Sequence, residues 1–189
     1  MLNSNAVVKR VMISMFTPAL LFATSTAMAA EYANSVRAGF FVNPVGTVGA
    51  IEYEHLLSNR VSFGARLGYI DYDYTDGSYR ETGNGPGAEF LVRLYPGGKG
   101  HKGFYVGGAL GLWNTSWKYT DPASVPTRDS GTSTAVNVNV NLGWKIPLGS
   151  DRVYIDPNIA IGNFFSTASD DTANLGFYVA AGLSVGVNF

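Results

Sequence analysis

The sequence predicts an all-β protein, an eight-stranded antiparallel up-and-down transmembrane β-barrel. Three observations predict this fold class: apolar residues alternate with small or polar ones, turn residues separate the alternating segments, and glycine and aromatic residues are abundant. The chain of 189 residues contains 23 glycines, and 13% of its residues are aromatic while only 14% are charged. Glycine at this level disfavours helices and suits closely packed strands and turns.

The alternation is clearest in residues 134–148, TAVNVNVNLGWKIPL, where apolar residues occupy every second position from Val136. Successive side chains of a strand point to opposite faces, so this segment has one apolar and one polar face. Seven other segments show the same period, with turn sequences between them. The predicted strands cover residues 35–42, 47–57, 61–74, 87–95, 103–117, 134–148, 152–165 and 175–189.

The amino-terminal segment has the features of a cleaved signal peptide. A short basic stretch precedes an apolar run over residues 11–23, and Ala27-Met28-Ala29 has the small-x-small form of a cleavage site. The run of roughly a dozen residues is too short for a membrane-spanning helix, which needs about 20. We therefore expect residues 1–29 to be removed and residues 30–189 to form one barrel domain, although cleavage after Ala30 fits almost as well.

Charge and cysteine content exclude several functions. The segment after residue 29 carries 11 basic and 14 acidic residues, which gives no indication of a nucleic-acid partner. The chain has no cysteine, so disulfides, thiolate catalysis and cysteine-ligated metals are excluded. Neither a cofactor nor a metal site is predicted.

The connections between the predicted strands alternate in length, except that the first, NPVG, is short where a longer loop would be expected. They are short after the second and sixth strands and somewhat longer after the fourth, where the sequence is PGGKGHK. They are longer and polar after the third, fifth and seventh strands: TDGSYRETGNG, YTDPASVPTRDSGTS and STASDDTAN. Short turns at one end and longer loops at the other are typical of outer-membrane barrels, with the turns periplasmic and the loops outside. The glycine-rich stretches GNGPG and PGGKG are predicted to be turns, because neither is a complete phosphate-binding loop.

The last strand indicates which face contacts lipid. Its apolar face includes Phe177, Leu183 and Val185, whereas the other face consists mainly of glycine, alanine, serine and asparagine. A soluble barrel would carry charged residues on its outside. Small residues instead suit the crowded interior of an eight-stranded barrel, so the apolar face is predicted to be outside. A soluble ligand-binding barrel is the alternative if the apolar face points inward.

Aromatic residues cluster at two levels of the predicted barrel. Near the loop ends lie Tyr69, Tyr72, Tyr74, Trp113, Trp117 and Tyr119, and nearer the turn ends lie Tyr53, Phe63, Phe104, Trp144 and Phe189. Membrane barrels carry aromatic girdles at both membrane–water interfaces. The two levels therefore predict two girdles.

The signal peptide, the eight amphipathic strands and the final strand LGFYVAAGLSVGVNF resemble those of the small OmpA/OmpX-like outer-membrane barrels of Gram-negative bacteria. The resemblance implies a monomer in the outer membrane among lipopolysaccharide, assembled with periplasmic chaperones and the barrel-assembly machinery. It also implies a carboxy-terminal assembly signal at Leu183, Val185, Val187 and Phe189, although an aromatic residue is more usual at the position of Val187. Basic residues in or near the outer loops are candidates for contacts with lipid A phosphates: Arg80, Lys118 and Arg128.

Strand alternation also predicts a charged barrel interior. Four basic and four acidic residues fall on the inward face: Arg37, Glu52, Glu54, Arg66, Glu89, Arg93, Lys145 and Asp156. Buried charges are costly unless paired, so equal numbers predict a connected salt-bridge network. This network either plugs the lumen or acts as a gate, in which one pair exchanges partners and opens a narrow path for ions or small solutes.

A catalytic function is the least favoured hypothesis. A lipid-modifying enzyme would need a histidine close to a nucleophile, and the two histidines, His55 and His101, both fall near the turn side without such a partner. No catalytic residue is therefore predicted. The preferred interpretation is a structural or surface-interaction protein with a largely filled polar lumen, followed by a narrow pore.

Overall fold

The computed structural model describes residues 32–44, 46–76, 79–120, 130–166 and 176–189. Eight antiparallel strands form one closed barrel in chain order, and the first strand pairs with the last. The strands are β1 Asn34–Asn43, β2 Gly46–Ser58, β3 Val61–Asp76, β4 Tyr79–Leu94, β5 Gly103–Thr120, β6 Ser130–Leu148, β7 Ser150–Ser166 and β8 Gly176–Asn188. The predicted fold class is confirmed, and the predicted signal peptide lies outside the described residues. In the described ranges, no helix is long and apolar enough to cross a membrane.

The main departure from the predicted strands is the β3–β4 hairpin. The prediction of a long polar loop after the third strand is wrong, because pairing continues as far as Asp76 and Tyr79. The stretch GNGPG lies inside β4 and is not a turn. Side chains also pair across the extension, where Arg80 Nε donates to Asp73 Oδ1 at 2.9 Å on the outer side of the hairpin.

Most of the large apolar side chains point away from the barrel interior. Leu67 is 67% exposed and Phe177 is 71% exposed, and the same face of each strand carries other exposed apolar residues. An apolar exterior of this extent suits contact with lipid. The prediction that the apolar face is outside is confirmed by the burial of the opposite face.

The interior is filled by aromatic rings that lie over glycines of the neighbouring strand. Trp113 on β5 is paired directly with Gly87 on β4, and Tyr105 on β5 is paired with Gly143 on β6. The same arrangement recurs in five more pairs: Phe41 with Gly182, Tyr72 with Gly83, Trp117 with Gly131, Tyr154 with Gly186, and Tyr178 with Gly162. A missing Cβ on one strand thus makes room for a ring from the next inside a narrow barrel.

We expect Gly87→Ala to lower the free energy of unfolding by about 1–3 kcal/mol, the usual cost of overpacking. A Cβ at Gly87 would overlap the Trp113 ring, which is 2% exposed. Gly108→Ala on the outer face is the matched control, because its Cβ would make only one ordinary contact, at 3.9 Å. Urea unfolding of both variants in detergent measures the difference. Equal stability of the two variants would contradict the packing of the Trp113 ring over Gly87.

The predicted aromatic girdle at the loop end is wrong for Tyr72 and Trp113, and also for Trp117, which shares the inward face of Trp113 and lies against Gly131. Tyr72 and Trp113 are each 2% exposed and lie inside the barrel. The alternation of β5 explains the position of Trp113, because it shares the inward face with Ala109 and Gly111. Exposed aromatic residues are present at both ends of the outer surface: Tyr69, Phe165 and Phe177 near the loop end, and Tyr53, Phe104, Trp144 and Phe189 near the turn end.

Candidate functional site: the charged lumen

The eight charged residues predicted to be inward all lie in the barrel interior, where each is at most 6% exposed. They occupy the half of the lumen closer to the turns, and we call them the lumen network. Register brings several of them together directly, because Arg37 on β1 is paired with Glu52 on β2, which is paired with Arg66 on β3. The structure therefore joins residues that alternation alone places only on a common face.

Glu52 is the centre of the lumen network. Its Oε2 atom accepts hydrogen bonds from Arg37 Nη2 at 2.8 Å and from Arg66 Nη2 and Arg93 Nη2 at 2.9 Å. Three guanidinium groups on three strands thus surround one carboxylate. Bonds between ionised groups are stronger than neutral hydrogen bonds, so this cluster fixes the strands around it.

Glu54 extends the lumen network across the barrel. Its Oε2 atom accepts from Arg93 Nη1 and from Lys145 Nζ, both at 2.7 Å. Its Oε1 atom accepts from the hydroxyls of Ser62 and Tyr95. Because Lys145 lies on β6 and Glu54 on β2, their bond crosses the lumen.

Asp156 and Glu89 are the remaining two acids of the lumen network. Asp156 forms an ion pair with Arg37. The Tyr105 hydroxyl donates to the Asp156 carboxylate and lies 3.1 Å from both Oδ1 and Oδ2. Glu89 pairs with Arg66 at 2.8 Å. Each of the eight groups therefore has at least one oppositely charged partner, and the four positive and four negative charges cancel.

The half of the lumen closer to the loops contains large apolar side chains, together with the buried polar side chains of Glu81, Thr115 and Ser133. A cluster of buried residues fills it: Ile70, Tyr72, Trp113, Ala135 and Phe164. The rings of Trp113 and Phe164 lie 6.2 Å apart, and Asn137 Nδ2 connects this region to the lumen network by donating to Glu89. A cavity of about 30 Å³ lies between the two halves and is bordered by Arg66 and Glu89 on one side and by Trp113 and Phe164 on the other.

The turn between β4 and β5 closes the other end of the lumen through His101. This residue is predicted only as part of a turn, but its side chain enters the barrel and is 4% exposed. Its Nδ1 atom lies 3.2 Å from Lys145 Nζ, and its Nε2 atom lies 3.3 Å from the Ala33 carbonyl oxygen. Burial, together with the nearby Lys145 ammonium, lowers the pKa of His101 to about 4. Sequence reasoning missed this contact, because a glycine-rich turn has no alternation that shows where a side chain points.

His55 has a different environment. Its Nδ1 atom lies 2.9 Å from Asn34 Oδ1, and its ring packs against Phe63 at 5.4 Å between centroids. The partners of the two histidines do not form a nucleophile–base pair. Over the described ranges, no group of three or more histidine, aspartate or glutamate residues is placed to hold a metal ion.

We expect the barrel to lose stability as the pH falls from about 6.5 towards 4. The unfolded chain binds a proton at His101 in this window and the folded chain does not, because its pKa is about 4. The contribution is fully present above pH 6.5, and its loss amounts to at most about 3 kcal/mol. Urea unfolding of the wild type and His101→Asn at pH 7.5 and 4.5 measures it. An equal loss in both proteins would assign the effect to other groups.

The residues of the predicted assembly signal lie on the outer face of β8. Leu183, Val185 and Val187 are 43–54% exposed, and Phe189 is 51% exposed. The backbone of Phe189 exchanges two hydrogen bonds of 2.9 Å with Asn34, which continues the pairing of β8 with β1. The carboxy-terminal segment is thus part of the seam that closes the barrel.

Two of the three candidate lipid A contacts lie near each other on the outer surface. Arg80 on β4 is 58% exposed and pairs with Asp73. Lys118 is also exposed, on the adjacent strand β5 and two residues from the partner of Arg80. Arg128 lies outside the described residues.

Comparisons with known proteins identify the class of this fold. No protein-family model matches the sequence, and no curated protein matches it. The structure is similar to a major outer membrane protein from Thermus thermophilus, with a TM-score of 0.56 and 15% identity over 84% of this chain and 100% of that chain. It is also similar to Ail, the attachment invasion locus protein of Yersinia pestis, with a TM-score of 0.52 and 10% identity over 84% and 98% of the two chains. Neisserial surface protein A gives a TM-score of 0.50 and 12% identity over 84% and 97%.

These similarities define the class: the chain has the fold of the small eight-stranded β-barrels of bacterial outer membranes. The predicted OmpA/OmpX-like resemblance is thereby confirmed at the level of the fold. At 10–15% sequence identity, the similarity of these proteins to the chain is a similarity of fold.

Proposed function

We propose that the protein is a monomeric integral protein of the bacterial outer membrane with a closed lumen and a structural or surface-interaction role. The lumen network carries this proposal. Glu54 on β2 bonds Arg93 on β4 and Lys145 on β6, so charged side chains meet across the barrel and leave no wide path beside them. A barrel closed in this way interacts with its surroundings through its outer face and its loop end.

The outer rim supports contact with lipopolysaccharide. Arg80 and Lys118 lie on adjacent strands at the loop end, and both side chains are exposed. A guanidinium and an ammonium at this level suit the phosphates of lipid A. During biogenesis, the outward residues from Leu183 to Phe189 would be read by the barrel-assembly machinery after delivery by periplasmic chaperones.

A narrow pore is the second candidate function, and one observation favours it. Arg93 Nη1 contacts the carboxylates of both Glu52 and Glu54. A rotation of this side chain would exchange one partner for the other, with Lys145 remaining to neutralise Glu54. Such an exchange would turn the lumen network into a gate for ions or small solutes.

Conductance in a planar bilayer separates the two functions. We expect the refolded wild type to be silent while protease protection in parallel vesicles confirms insertion. Arg93→Ala removes the side chain that joins Glu52 to Glu54 and is the test variant, and Arg80→Ala on the exposed rim is its matched control. Reproducible current steps in the wild type and in Arg80→Ala, altered in Arg93→Ala, would overturn the closed lumen and establish the pore.

A further inference from the structure

The turn between β4 and β5 is built as a cap over the turn-side mouth of the barrel. We define the cap as residues 96–102; Tyr95, whose hydroxyl donates to Glu54 of the lumen network, precedes the cap and is not part of it. Its backbone contacts the neighbouring turn, because Gly100 N donates to Asn59 O at 3.0 Å, and the residue before the cap is anchored by Tyr95 N, which donates to Arg60 O at 2.7 Å. A left-handed φ of +66° at Gly100 directs the chain so that the next residue, His101, enters the barrel.

Few bonds hold the cap over the mouth. Lys102 pairs with Asp151 at the partly exposed surface, which contributes little because solvent screens the pair. His101 is the side chain of the cap that reaches the lumen network, through Lys145, and it also bonds the chain before β1 through the Ala33 carbonyl. The seating of the cap therefore depends on the imidazole.

We propose that the cap is a proton-released stopper: protonation of His101 expels the imidazole from the turn-side mouth and admits water to the charged half of the lumen. This inference rests on the proposed closed lumen. The cap would give the closed barrel a second, water-filled state of the lumen on the turn side. This holds whether or not ions then cross the half of the lumen closer to the loops.

The charged groups around His101 explain why a proton there would release the cap. Lys145 from β6 lies 3.2 Å from the Nδ1 atom, and Arg93 from β4 adds a second positive charge. The nearby acid is Glu54 from β2, whose Oε1 atom lies 3.8 Å from His101 Nδ1. Its carboxylate already bonds Lys145, Arg93 and two hydroxyls. The ring edge of Tyr95 completes the enclosure and offers no charge. An imidazolium would thus meet two cations in a site from which water is excluded.

The direction of the pKa change of His101 agrees with this geometry. The seated imidazole has a pKa of about 4, whereas a released one would return to its ordinary value near 6.5. Each pH unit between these values lowers the ratio of seated to released cap by up to about tenfold. Over the whole window the ratio falls by up to about 300-fold.

Cysteine labelling tests the stopper directly, since the chain has no cysteine of its own. Ser35→Cys places a thiol behind the cap, at a position that is 1% exposed and bonded to Tyr154. Arg152→Cys on the exposed turn side is the reference, and dividing the two labelling rates cancels the effect of pH on thiolate formation. The probe is a small anionic methanethiosulfonate, applied to the refolded protein in detergent between pH 7.5 and 4.5.

We expect the normalised labelling rate at position 35 to rise at least tenfold as the pH falls, and to stay low in the His101→Asn background. The His101 Cε1–H resonance, assigned by its loss in His101→Asn, should titrate with the same midpoint as the labelling. A pH-independent rate, an equal rise in His101→Asn or a different midpoint would overturn the stopper. Labelling at position 35 as fast as at the reference at pH 7.5 would instead overturn the closed lumen itself.

Discussion

Replacing Arg93 by alanine is expected to lower the free energy of unfolding by about 3–5 kcal/mol, the cost of breaking a buried ion pair from one side. Arg93 is 1% exposed and is bonded to both Glu52 and Glu54. Its guanidinium also lies 4.8 Å from the centre of the Tyr105 ring. Its removal leaves the lumen network with three cations and four anions in a site without bulk water. Urea unfolding in detergent, followed by circular dichroism, measures the loss.

Two further variants separate lost charge compensation from lost packing. Arg80→Ala removes the same side chain from an exposed pair with Asp73, where solvent screens the charges, and should leave stability unchanged. Arg93→Met with Glu54→Gln removes one charge of each sign and keeps side-chain volume, so it should recover part of the loss. Failure of the double variant to recover any stability would show that the network contributes through shape and not through charge.

The alternation of the sequence predicted the membership of this network, because strand geometry fixes side-chain direction at every second residue. The alternation did not predict which residues of the network bond each other. Lys145 and Glu54 are 91 residues apart, and they meet because the stagger of a closed eight-stranded barrel brings β6 and β2 to the same level of the lumen. Register is a property of the closed sheet, and no local pattern encodes it.

His101 and β4 show two other limits of sequence reasoning. His101 lies in a turn, where backbone dihedrals set by Gly98 and Gly100 decide the direction of the next side chain. In β4, the glycines of GNGPG indicate a turn by composition, yet Gly83 and Gly87 accommodate the rings of Tyr72 and Trp113 from the neighbouring strands. Glycine is used there for close approach of an aromatic ring, and composition cannot distinguish this use from a turn.

Trp113 shows a conflict between two arguments from the same sequence. Its level near the loop end predicts a membrane girdle, whereas its alternation with Ala109 and Gly111 predicts the interior. The structure agrees with alternation, because the strand backbone fixes whether a side chain points to the lumen or to lipid. The height of a residue along the barrel decides only which neighbours its side chain contacts on that face. Tyr72 is explained in the same way, because it is also buried in the lumen despite its height near the loop end.

Trp113→Ala is therefore expected to cost about 3–5 kcal/mol, as is usual for removing a buried tryptophan. The indole is 2% exposed, packs against Phe164 and lies over Gly87, and its Nε1 atom donates to Glu89 Oε1 at 3.4 Å. Its removal would enlarge the cavity of about 30 Å³ that it already borders. Urea unfolding in detergent, read by circular dichroism, measures the loss.

Trp144→Ala is the matched control on the outer face, where the indole is 55% exposed. Detergent or lipid can fill the space left by Trp144, so its loss should cost well under half as much as the loss of Trp113. Brominated lipids give a second measurement: they should quench a protein that retains only Trp144, and leave one that retains only Trp113 largely unquenched. Equal quenching of both, or a larger stability loss in Trp144→Ala, would place Trp113 in a lipid-facing girdle and contradict its position in the lumen.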